Sequence, residues 1–142
     1  MSETKEEGMY TVLDYLTSVP AWYLATCEGD QPHVRPFSFA VVEDGRICFC
    51  TANTKDVYRE LVANPKFEVS AWRHNHGWLI LRGRADFSLQ PSEPLRRAGY
   101  EHLSALGESY EGPDDPRLAF FAVEAPEAWI CRIDGSWKPL EL

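Results

Sequence analysis

The segment 32–55 constrains this chain most: PHVRPFSFAVV reads as an extended strand, EDGR as a tight turn, ICFC as the returning strand, and TANTK as a break before a helix. Extended runs joined by a short glycine-containing turn specify an antiparallel β-hairpin. Thr51, Asn53, Thr54 and Lys55 then stand where a strand ends and helix amides point outward, a good place to hold a phosphate. Arg35 on the neighbouring strand adds a second cation, and a buried guanidinium is tolerable only beside a bound anion or a carboxylate. Taken alone, Arg35 reads more readily as a strand arginine paired with one of the 22 acidic residues, and the flanking loop reverses that preference. Lys55 in a first helical turn opposes the helix dipole unless an anion is present, so the two together favour a phosphorylated ligand.

The rest of the chain alternates short strands with turn signals. Residues 9–19 form a first helix, with Met9, Val12, Leu13 and Leu16 on one stripe and Pro20 ending it. Strands are expected over 22–27, 34–42, 46–51, 67–72, 78–87, 118–123 and 128–133, with a last extended piece after DGSW. A helix over 54–63 carries Val57, Tyr58, Leu61 and Val62 at helical spacing, with Thr54 as its expected N-cap, and a further helix spans 93–106. Neither repeats nor an interdomain linker interrupt the 142 residues, a length suited to one domain, 1–142. About six or more antiparallel strands with helices at the ends predict an α+β fold built on a closed or partly closed barrel.

Composition narrows the function. A net charge of −8 argues against general nucleic-acid binding, which needs a basic face. No apolar run approaches the roughly 20 residues of a membrane span, and MSETKEEGMY is acidic where a signal peptide is basic and then apolar. A cytoplasmic protein is expected. Cys27, Cys48, Cys50 and Cys131 lack the paired spacing of zinc or redox sites and read as reduced core cysteines, with Cys48 and Cys50 on one face of a strand. His74 and His76 read as a polar turn rather than metal ligands, so no metal site is expected. Glu68, Asp86 and Asp114 show no pairing suited to acid and base work.

The order YLATCEGDQPHVRPFSFAVVEDGRICFCTANTKDVYRELVANPKFEVSAW, then WLILRGRADF, resembles the FMN-binding split-barrel proteins related to pyridoxamine 5′-phosphate oxidase over residues 9–134. The resemblance rests on an ordered set: R-P-F after a turn, T-x-N-T-K before a short helix, A-N-P ending it, and the L-R-G-R strand. It implies a Greek-key split β-barrel and a homodimer with FMN at the subunit interface. On the matching positions, Arg35 and Lys55 would bind the phosphate, with Thr51 and Thr54 as hydroxyl donors. Backbone groups of Pro36, Phe37 and Ser38 would border the isoalloxazine ring. Trp78 and Trp129 match positions that reach the flavin from the barrel or from the partner subunit. The C-terminus AWICRIDGSWKPLEL lacks the Arg- and His-containing segment of the oxidases that act on vitamin B6, so the chain resembles the short, flavin-binding or flavin-reducing branch.

A bound flavin carries the redox chemistry, which explains why no catalytic triad is needed. The expectation is an FMN-dependent oxidoreductase or flavin reductase-like protein, using a nicotinamide donor and a small acceptor that the sequence does not name. Two alternatives stay open: a flavin- or nucleotide-binding carrier or sensor without turnover, and a haem- or deazaflavin-binding member of the same fold.

Overall fold

A computed structural model describes residues 4–142. Residues 1–3 of the acidic N-terminal segment lie outside the described residues. The first helix, α1 (Lys5–Thr17), starts earlier than its apolar stripe suggests because Thr4 caps it: Thr4 Oγ1 accepts from the Glu7 amide and the Glu7 carboxylate accepts from the Thr4 amide. Then follow β1 (Trp22–Glu28), β2 (Gln31–Phe37), β3 (Ala40–Glu43), β4 (Arg46–Ala52), α2 (Asp56–Ala63), β5 (Lys66–Arg73), β6 (Gly77–Asp86), α3 (Glu93–Ala105), β7 (Leu118–Cys131) and β8 (Trp137–Leu140).

All eight strands join one antiparallel sheet in the order β2-β1-β5-β6-β7-β4-β3, with β8 added on β7. This is the α+β split barrel, with eight strands where about six were expected. The first and last strands of that path, β2 and β3, are separated in sequence by residues 38–39 alone. A two-residue link spans only about 7–10 Å, so the sheet curls until its two edges meet at this corner. The expected single strand 34–42 is therefore two strands. Conversely, the expected closing strands 118–123 and 128–133 are one, β7, which passes Ala125 at φ 52° opposite a register shift between Arg82 and Arg84. A bulge bends the strand there without ending it.

The inward faces hold Trp22, Leu24, Phe49, Val69, Leu79, Leu81 and Phe121, with Val12 and Leu16 of α1 and Val57 and Leu61 of α2 packed on them. A second apolar cluster lies between α3 and the outer face of β4 and β7: Leu95 and Leu103 meet Cys48, Cys50 and Phe120. Thus β4 is buried on both faces, and Cys48 and Cys50 do share one face. Burial raises their thiols to about 11 and about 12, so both stay protonated at neutral pH. Cys27 departs from expectation; it sits near the end of β1 on the exposed side. The cysteines are free thiols.

α3 approaches very closely. A Cβ on Gly99 would lie 2.6 Å from Phe120 Cε1 and 3.1 Å from Cys50 Sγ. Only a residue without a side chain fits at that crossing. No helix among the described residues is long and apolar enough to cross a membrane.

Candidate functional site

The corner between β2 and β3 opens into a cleft of about 360 Å³. Arg35, Pro36, Phe37 and Ser38 form one wall, Cys50 and Thr51 of β4 the floor, and Lys55 and Val57 the entry to α2. Leu103 of α3 and Leu106 at its C-cap, with Glu108 just beyond, close the opposite side.

Arg35 points to the inward side of the barrel, opposite Leu24 in the β1–β2 register. Its Nη1 donates to Thr26 Oγ1 at 2.8 Å and to the Leu24 carbonyl at 3.3 Å, and its Nη2 donates to Glu60 Oε1 at 2.6 Å. Thr26 in turn donates to the same Glu60 oxygen at 2.6 Å. A guanidinium has five N–H donors, so this backing leaves two for a ligand. Glu60 is buried. The Thr26 hydrogen bond, with help from Arg35 and against the cost of burial, holds its carboxyl below the ordinary 4.5. Glu60 falls on the buried stripe Val57, Glu60, Leu61 of α2, and an acid on an apolar stripe is the sequence signal that marks it.

Lys55 is the N-cap of α2, at φ −91° and ψ 151°, and no side chain caps the first-turn amides. Thr54, the expected cap, is displaced because the Lys55 amide donates to the Ala52 carbonyl at 3.1 Å, closing a tight turn with Asn53 and Thr54 at its centre. Thr54 is exposed. Asn53 turns toward the neighbouring loop, its amide donating to the Arg117 carbonyl at 2.8 Å and its Nδ2 to the Pro116 carbonyl at 3.1 Å. The uncapped turn and the Lys55 ammonium remain the positive end that an anion would meet.

Four further residues at this site carry no signal in the sequence pattern. Glu108 Oε1 lies 2.8 Å from Lys55 Nζ and accepts from Tyr110 Oη at 2.6 Å. Burial works against the Glu108 charge, yet the hydrogen bonds from Lys55 and Tyr110 outweigh it and hold the carboxyl below its ordinary value. Burial beside that carboxylate pushes the Tyr110 hydroxyl up. Across the mouth, Ser38 Oγ and His102 Nε2 are 2.7 Å apart, and the His102 ring packs on Phe39 with centroids 5.4 Å apart.

Trp78 and Trp129 do not line this cleft. The register Ser70–Ile80–Trp129–Pro139 and Trp72–Trp78–Cys131–Trp137 places them on the outward face of β5–β8, with Arg82 stacked 5.0 Å over Trp129. Glu28, His33 and Glu60 bring their ligand atoms within 4.8 Å of one another, but Arg59 and Arg35 sit on those carboxylates. His74 and His76 lie in the β5–β6 turn, where His76 Nδ1 and the His74 carbonyl are 2.9 Å apart. A larger cleft of about 720 Å³ beside α1 is mostly apolar, and its Arg46 is held by Asp86 at 2.8 Å. The smaller cleft is the candidate because two cations and an uncapped helix converge there.

The pyridoxamine 5′-phosphate oxidase family model matches residues 11–131. A NimC/NimA family protein from Clostridium acetobutylicum superposes with a TM-score of 0.81 at 29% identity, over 97% of this chain and 94% of that one. A haem-binding protein from Mycobacterium smegmatis shares the fold at a TM-score of 0.68 and 13% identity, over 99% of this chain and 59% of that one. An F420 reductase does so at 0.57 and 23%, over 80% of this chain and 94% of that one. No curated protein matches the sequence.

Proposed function

This chain belongs to the pyridoxamine 5′-phosphate oxidase family, and on that premise we propose that it is an FMN-binding oxidoreductase of the flavin-reductase kind. The observation that carries the reading is the convergence of Arg35, Lys55 and the uncapped start of α2 on one cleft. Arg35 and Lys55 hold the phosphate, with Thr51 and Thr54 offering hydroxyls and Asn53 fixing the loop that flanks them. Pro36, Phe37 and Ser38 border the ring. FMN, when bound, supplies the hydride- and electron-accepting group. The chain's own work is to fix that group, to exclude water with Phe39, Leu103 and Leu106, and to leave a face for a nicotinamide donor and a small acceptor.

The active form in this reading is a homodimer with the flavin at the interface. Trp72 and Trp137 are 50% and 55% exposed on the same outward face as Trp78 and Trp129, an apolar surface of the kind that subunits cover. From that face Trp78 and Trp129 reach a flavin across the interface, toward the partner's cleft. Free buried thiols accord with a reducing compartment, the cytoplasm.

Purified protein should be yellow or take up FMN on titration, and should oxidise a nicotinamide donor in steady state; colourless protein that ignores FMN sinks the reading. Binding without turnover leaves a carrier or sensor. The haem-binding and F420-reductase folds give a second reading, which a Soret band or tight deazaflavin binding would favour. Sedimentation with and without FMN checks the dimer.

A further inference from the structure

We propose that Glu108 is a built-in counter-anion: it holds the Lys55 ammonium and must yield to the ligand's phosphate, which makes it a determinant of how much negative charge a ligand needs to bind. The proposal rests on the phosphate reading of the cleft and assigns a role to a residue outside the ligand clamp.

Glu108 is not a loosely placed surface acid. Gly107 at φ 93° turns the chain back after α3, and the Glu108 amide donates to the Leu103 carbonyl at 3.1 Å. Its side chain is 29% exposed and lines the cleft. Tyr110, which donates to the same oxygen as Lys55 approaches, is backed by Arg117, whose guanidinium carbon lies 5.1 Å from the Tyr110 ring centroid. Arg117 is in turn fixed by buried Asp115 at 2.7 Å. This chain of contacts presents a carboxylate to Lys55 in advance of any ligand. The charged and titratable groups around it are Lys55, Tyr110, His102, Cys50 and, one layer out, Arg117.

Arg35 differs, because its carboxylate Glu60 sits behind it and two donors remain free. A phosphate at Lys55 meets Glu108 in front, and two anions on one ammonium repel each other in a partly buried cleft. A dianionic phosphate gains enough at both cations to displace the carboxylate, whereas a neutral head group does not.

Inorganic phosphate, followed by the Lys55 backbone amide in NMR spectra, and FMN and riboflavin, followed by flavin fluorescence, are titrated into the wild-type chain and Glu108→Gln. The variant should bind inorganic phosphate and FMN about tenfold more tightly, the size of one charge-assisted hydrogen bond no longer in competition, with riboflavin unchanged. Tighter phosphate with no uptake of FMN by either chain upholds the counter-anion and overturns the flavin reading. Phosphate and FMN bound equally or more weakly by the variant overturn the counter-anion and leave the flavin reading standing. No binding of any probe to either chain overturns both. In the wild-type chain, saturating phosphate should also raise the pH at which the Glu108 carboxyl titrates; an unmoved titration overturns the proposal without recourse to a variant.

Discussion

Arg35 and Lys55 face one cleft, yet the carboxylate side chain behind Arg35 is 3% exposed while the one in front of Lys55 is 29% exposed. The first pair is built between β2 and α2 inside the barrel end and includes the Thr26 hydroxyl. The second joins the start of α2 to the stretch after α3. A pair whose carboxylate is buried and also held by the Thr26 hydroxyl cannot open without stranding a charge, whereas a partly exposed pair trades partners at modest cost. One cation is therefore a fixed fitting of the fold and the other an exchangeable one.

The largest expected effect separates these two roles. Glu60→Ala leaves the Arg35 guanidinium partly buried without its carboxylate, and should lower the unfolding free energy by about 3 kcal/mol in urea titrations. An equal loss from Glu108→Ala would erase the distinction. Next in size, Lys55→Ala should weaken FMN binding by about one to two decades, the worth of roughly 1.5–3 kcal/mol of charge-assisted bonding, with folding nearly unchanged. Unchanged affinity there and in Arg35→Ala would remove the clamp.

The smallest effect is in acid and salt. Both glutamates are held below 4.5 in the folded chain, so their contribution to stability is fully present above pH 4.5 and is lost as pH falls through the lowered values. Glu60→Gln and Glu108→Gln should each differ from the wild-type chain at pH 7 and converge on it in acid. The Glu108→Gln difference, about 0.5–1 kcal/mol, should shrink in molar salt while the Glu60→Gln difference persists.

What the sequence revealed follows the same division between local and long-range causes. The Gly45 turn, the helix stop ahead of Pro20 and strand β5 are local, and each stands within two residues of where the pattern puts it. Arg35 and Lys55 could be singled out because a cation at a strand position and one at a helix start are locally awkward. Glu108 could not, since it lies in an acidic loop whose pattern does not distinguish it from Glu111, Asp114 or Asp115. Its choice depends on the Gly107 turn and the Arg117–Asp115 brace. The break at residues 38–39 was equally hidden: PHVRPFSFAVV is uniformly extended, and only closure of the barrel assigns its halves to opposite sheet edges. The reverse happened at Ala125 and Pro126, which fall between two expected strands but are carried through as a bulge in β7.

The close crossing at Gly99 bears on the cleft from a distance. Leu103, Leu106 and His102 belong to the same helix as this glycine or its C-cap, so the missing side chain acts as a gauge block that sets where that wall stands. One added methyl would press on Phe120 and on Cys50 of the cleft floor and lift the helix, widening the mouth at Ser38 and His102 while Arg35 and Lys55 stay as they are. The bore of this cleft is thus calibrated from its dry side.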